Sequence, residues 1–374
     1  LHLSSVGHLR QSLFNQFPVE SLITLPSRLC LIPPKEGWLA NPDIQVILLR
    51  LILRTLAALL LSSSLGMAEE KPKQLVMISF DGAGSNPLWE RSRTIAKRVN
   101  ARFTYFLSCT LVIDRARAKT YQAPGQRPGK SNIGFAQTKE EALTRLDHVW
   151  QAKQEGHEIA SHTCGHFDGR HWTKADWQME MRNFRSILSS AWADLGAPEK
   201  EPSGWRDFVK NDIKGFRAPY LSTSDALEDA EHAEGFTYDG SGISMGPMLP
   251  EKQNKVLMFG LPLIPEGPER RNIIAMDYNL FIRHSAGVEN PSRSAEFEER
   301  AYAAFRAAFD RQYAGERIPL QLGFHFVEMN GGAYWRAMER LATEVCAKPD
   351  VACVTYGEAI RQLSERGKET PSTL

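Results

Sequence analysis

Short apolar runs alternate with amphipathic helical stretches from residue 75 onward, and this alternation constrains the fold more than any other feature of the chain. Leu75 to Phe80 is an apolar run closed by Asp81-Gly82-Ala83-Gly84, the pattern of a strand buried on both faces with a loop at its carboxyl end. Pro87 opens a helix to about Asn100, and Phe103 to Leu107 is a second strand. Thr138 and Glu141 have capping-box spacing ahead of a helix with Leu143, Leu146 and Trp150 on one face, which Gly156 ends. Trp177, Met181, Phe184 and Leu188 form the next helical stripe, before a short strand at Gly215-Phe216-Arg217. A helix over Ala226 to Ala233 leads to Phe236-Thr237-Tyr238 and the turn string Asp239-Gly240-Ser241. Two further runs follow, Val256 to Ile264 broken by Pro262, and Ile273 to Met276. A helix carrying Phe297, Ala301, Phe305 and Ala308, the strand Leu320 to Phe324, another helix from Tyr334, the strand Val351 to Thr355 and a closing helix complete the pattern.

Such alternation predicts an α/β fold with a mostly parallel sheet, open or closed into a barrel. In either form ligands gather at the carboxyl ends of the strands. Asp81, His162, His166, Arg217, Asp239 and His325 all fall at those ends. The stretch Ile159 to His166 is the most telling of them, because two imidazoles four residues apart at a strand end can converge on one cation.

Lys and Arg number 45 against 44 Asp and Glu, which argues against a dedicated nucleic-acid or anionic-membrane surface. The 8 Trp suit a substantial core better than they suit sugar stacking. Residues 1–43, rich in Ser, Pro and Leu, read as an upstream extension without a fold. Residues 44–68 place Arg50 and Arg54 ahead of the small, apolar stretch Thr55 to Leu65 and end Gly66-Met67-Ala68, the form of a secretory signal or of an uncleaved anchor. Either form predicts a periplasmic or secreted domain over 72–366. Cys346 and Cys353 flank a short loop and could close a disulfide there; Cys109 and Cys164 either approach each other or stay as buried thiols.

Five motifs in order resemble the polysaccharide deacetylases with a NodB-type domain, carbohydrate esterase family 4, most closely the chitin-deacetylase-like branch. They are Ser79-Phe80-Asp81-Gly82-Ala83, His162-Thr163-Cys164-Gly165-His166, Arg217-Ala218-Pro219-Tyr220, Asp239-Gly240-Ser241 and Gly323-Phe324-His325. The resemblance implies a single distorted (β/α) barrel of about seven mostly parallel strands. It also implies a metal-dependent hydrolase that takes N- or O-acetyl groups from polysaccharides such as chitin-like or peptidoglycan glycans. Under it His162 and His166 hold a divalent metal, zinc with cobalt or manganese as alternatives, and Asp81 is the general base. Arg217 orients Asp81, the Tyr220 backbone N–H cradles the oxyanion, His325 protonates the leaving group, and Asp239 holds Arg217 or His325. A monomer is expected, touching a membrane only through an uncleaved anchor.

Two departures from the family pattern stand out. Gly82 occupies the position where a second aspartate usually ligates the metal, so Asp81, Asp168, Asp277 or another carboxylate would have to serve instead. Gly323 replaces the leucine of the fifth motif, leaving Phe324, Leu322 or Trp335 to shape the acyl pocket. An exported, non-catalytic glycan-binding relative and a hydrolase of a small amide are the alternative readings. Each site residue also has a plainer one: a helix cap for Asp81, an ion pair for Arg217, a core histidine for His325, an ordinary turn for Asp239.

Overall fold

The computed structural model describes residues 71–369, together with helical residues at 43, 46–47 and 49–52. The expected extension over 1–43 and the signal or anchor over 44–68 otherwise lie outside the described residues. Contacts divide the chain after Glu70, and everything below concerns the unit that begins at Lys71. Among the described residues no helix is long and apolar enough to cross a membrane.

The apolar runs become the strands β1 (Gln74–Gly82), β2 (Thr104–Leu107), β3 (Glu158–Ser161), β4 (Gly215–Phe216), β5 (Tyr238–Ser244), β6 (Glu251–Gln253), β7 (Val256–Glu266), β8 (Arg271–Ile274), β9 (Leu320–His325) and β10 (Val351–Cys353). All nine residues of β1 are buried, as a strand covered on both faces requires. β9, β1, β2, β3, β4, β5 and β7 pair in that order, every pair parallel, and β10 adds a parallel segment beside the start of β1. The gap between β7 and β9 is bridged by Ala275, after β8, whose O accepts from the Gly323 N–H at 2.9 Å, and directly by Gln321 Nε2, which donates to Gly260 O at 2.9 Å. This is the mostly parallel α/β sheet that the alternation predicts, curled with an irregular seam.

Two strands differ from the sequence reading. Pro262 does not break its run, because β7 passes through it to Glu266. It sits opposite Ser244, the last residue of β5, where a missing N–H disrupts little of the ladder. Residues Arg271–Ile274 pair antiparallel with the upper half of β7, since a four-residue turn leaves no room for a crossover.

Helices cover the sheet through the stripes read from sequence. Trp177, Met181, Phe184 and Leu188 of the helix Lys174–Asp194 are fully buried, and Thr173 and Asp176 close its start as a capping box. Trp89, Trp177, Trp192, Trp205 and Trp335 are all buried, so the core takes most of the tryptophans. Cys346 and Cys353 form a disulfide, and Cys109 and Cys164 form a second one that ties the loop after β2 to the loop after β3.

Candidate active site

Asp81 stands at the carboxyl end of β1, directly across the ladder from His325 on β9. Its Oδ1 accepts from Arg217 Nη1 at 2.7 Å. Arg217 follows β4 and is fully buried; it also donates to Ser79 Oγ at 3.0 Å, Tyr356 OH at 2.8 Å and Gly240 O at 2.9 Å. Its guanidinium lies 4.0 Å from the centre of the Phe106 ring. Burial works to raise the Asp81 pKa, yet the charge and hydrogen bond of Arg217, with the charge of His325 behind them, outweigh that and hold the carboxyl below its ordinary value. Asp81 is therefore an ionised carboxylate of fixed orientation.

His162 and His166 sit in the loop after β3 with ring centroids 5.0 Å apart. His162 Nδ1 lies 2.8 Å from Arg217 O, and since a carbonyl only accepts, Nδ1 carries the proton and Nε2 keeps its lone pair. Burial depresses the pKa of His162 to about 3 and lowers that of His166, so both rings are neutral. Thr163 and His166 adopt positive φ, 58° and 55°. Beneath this turn, Glu180 Oε1 accepts from the N–H groups of Cys164 and Gly165.

His325, at the end of β9, is held by Asp277, which the sequence reading weighed only as a substitute metal ligand. Asp277 Oδ2 accepts from the His325 N–H at 2.8 Å, and Oδ1 lies 2.7 Å from Nδ1. Burial lowers the His325 pKa, but the charge and hydrogen bond of Asp277 prevail and raise it above the ordinary value. The signal was present in the run ending at Asp277-Tyr278-Asn279, a carboxylate at a strand end like the others.

Asp239 touches neither Arg217 nor His325, contrary to the role the resemblance implies. The Asp-Gly-Ser string lies within β5, so alternate residues face opposite sides. Asp239 Oδ1 accepts from the N–H and hydroxyl of Ser241, whose Oγ accepts from the Ala218 N–H at 2.7 Å. Asp239 thus braces the turn that carries Tyr220, and burial pushes its pKa up to about 7. Tyr220 has φ 59°, its side chain is exposed, and its ring stands 4.9 Å from that of His166. At Gly323 a Cβ would meet Met276 Cε at 2.7 Å, so Met276, not Phe324, Leu322 or Trp335, fills that space. His148 and His284, on helices, and His157, just before β3, are buried with polar partners.

The donor set fits two ligand positions of a cation, because two neutral imidazoles meet in one loop and His162 has its tautomer fixed. No third protein ligand joins them: among the described residues no group of three or more His, Cys, Asp or Glu is arranged around one point. Asp277 is committed to His325, and Asp168 accepts from Ser222 Oγ at 2.6 Å. Gly82 has φ +84°, and a Cβ there would lie 2.9 Å from Ile133 Cδ1. A cavity of about 620 Å³ lies at the opposite end of the sheet, lined by Arg102, His157, Glu158 and Phe208, remote from these groups.

No family model matches the chain, and no curated protein matches it. Solved structures do. A protein from Mycobacterium smegmatis described as a polysaccharide deacetylase aligns over 82% of this chain and 96% of its own, at 16% identity and TM-score 0.47. The Xyl-CE4 domain of a multidomain xylanase from the hindgut metagenome of Trinervitermes trinervoides aligns over 79% and 92%, at 15% identity and TM-score 0.40. A CE4 family pseudoenzyme from Bacillus anthracis aligns over 76% and 65%, at 10% identity and TM-score 0.41. Structures similar to this chain thus include one described as a polysaccharide deacetylase, a xylanase CE4 domain and a CE4 family pseudoenzyme, and at these identities the likeness assigns no residue and no reaction.

Proposed function

We propose that the chain is a hydrolase that removes acetyl groups from an acetylated polysaccharide, with a divalent cation, zinc or else cobalt or manganese, held by His162 and His166. One observation carries the reading: an acid and a base stand side by side with their proton affinities pushed apart, Asp81 downward and His325 upward. Asp81 takes the proton of the attacking water. The carbonyl oxygen gains negative charge beside the Tyr220 N–H, at the turn braced by Asp239 and Ser241. His325, with Nδ1 committed to Asp277, delivers the Nε2 proton to the departing nitrogen or oxygen. A cation bound at the two histidines would acidify water and polarise the acyl carbonyl. The two disulfides support an exported protein in an oxidising compartment.

Gly82 favours a second reading, an exported glycan-binding relative without turnover, because Ile133 crowds the place from which a third ligand would come. Acetate release from chitooligosaccharides and peptidoglycan, with zinc, cobalt or manganese added, separates the two. The hydrolase reading expects acetate from at least one glycan and loss of both metal and turnover in His162→Ala. Glycan affinity without acetate under every cation supports the binding relative and ends the hydrolase reading.

A further inference from the structure

We infer that Glu180 is a positioning residue for the His162 and His166 pair. It belongs to the helix Lys174–Asp194 and lies on its buried side with Trp177, Met181 and Phe184, all fully enclosed. A carboxyl group in such a place is costly unless strong donors meet it. Three donors converge on one oxygen: Oε1 accepts from the Cys164 N–H and the Gly165 N–H, each at 3.1 Å, and from the Tyr121 hydroxyl at 2.6 Å.

Two successive amide N–H groups aimed at one carboxyl oxygen form a nest, and this nest is the middle of the turn between the two histidines. Its flanking residues, Thr163 and His166, are both in the left-handed region, which side chains other than glycine's adopt only when their surroundings impose it. Glu180 is the group that imposes it from below. From above, Asn132 closes the turn, its N–H donating to Gly165 O at 2.8 Å and its Nδ2 to His166 O at 3.0 Å. The seat is close: a Cβ on Gly165 would come within 2.5 Å of the Tyr121 hydroxyl oxygen. The 5.0 Å separation and 63° angle between the imidazole rings follow from a turn held on both sides. Glu180 touches neither ring, so it acts through the backbone.

This inference rests on the proposed function only for the identity of what the two rings hold. Cobalt(II) affinity by titration calorimetry, amide hydrogen exchange at Cys164 and Gly165, and thermal unfolding would be measured on the full chain. The proteins are wild type, Glu180→Gln, Glu180→Ala and Ala191→Gly, the last weakening the same helix away from the turn. Expected are exchange at Cys164 and Gly165 at least tenfold faster in Glu180→Ala, cobalt affinity at least tenfold weaker, and an intermediate Glu180→Gln, which keeps an acceptor oxygen. Ala191→Gly should lower the melting temperature without either change. Unchanged exchange and affinity in folded Glu180→Ala or Glu180→Gln overturns the inference, as does an equal effect of Ala191→Gly. Absence of cobalt binding by the wild type would instead count against the proposed function, and the exchange rates would still decide the role of Glu180.

Discussion

Asp277 grips His325 with both carboxylate oxygens, one on the backbone N–H at 2.8 Å and one at the ring nitrogen Nδ1 at 2.7 Å. The ring is thereby fixed in direction and kept proton-rich, since the raised pKa means that the charge pair strengthens folding fully below about pH 6.5 and fades as pH climbs through the higher folded value. Asp277→Asn should return the His325 pKa to or below its ordinary value. The alkaline limb of the pH–rate profile is expected to move to lower pH, with turnover down roughly tenfold to a hundredfold. NMR titration of His325 reads the same shift without substrate.

Arg217→Lys is expected to cost about 3–5 kcal/mol of folding stability, because one ammonium cannot replace four directed donors and Asp81 is left in a dry site with a poorer partner. Urea denaturation at neutral pH measures it. A loss under about 1 kcal/mol would mean that the pair is worth no more than a surface ion pair.

Acid sensitivity should trace in part to His157, far from the reactive groups. Its Nδ1 accepts from the Phe103 N–H at 2.9 Å, and burial drives its pKa down to about 4. Between that value and about 6.5 the unfolded chain binds the extra proton, so stability falls with falling pH, by up to about 1.4 kcal/mol per pH unit. His157→Gln preserves an acceptor and removes the titration. Urea midpoints at pH 7, 6 and 5 should converge in the variant and spread in the wild type.

Opening the Cys109–Cys164 bridge by the double alanine substitution should lower stability by about 4 kcal/mol at most, the chain-entropy value for a separation of 55 residues. The same variant should bind cobalt more weakly, since Cys164 lies between the two histidines. Calorimetry before and after substitution checks both effects.

The strands were legible because each buried run announces itself as consecutive apolar residues, and the polar residue ending a run marks the working end of the sheet. That logic placed Asp81, His162, Arg217 and His325 in one neighbourhood. It offered Asp277 only as a substitute metal ligand, because its actual partner His325 lies 48 residues away, a pairing that only the folded sheet creates. Glu180 was hidden for a different reason: on a helix, a glutamate among tryptophan, methionine and phenylalanine reads as a polar interruption until the loop it supports is seen. Asp239 was expected at the carboxyl end of a strand, whereas it is the second residue of β5 and bonds to Ser241, because sequence order says neither where β5 begins nor which way its side chains point.

The seam between β7 and β9 has a further consequence. The bond from Gly323 to Ala275 lies two residues before His325 on one side and two before Asp277 on the other. Closure of this seam and the pairing of Asp277 with His325 therefore depend on the same two segments. A half-zipped molecule, however much of its helical coat it has acquired, would leave His325 without its carboxylate, so under the proposed function activity should return with the last stitch of the wall rather than gradually during refolding.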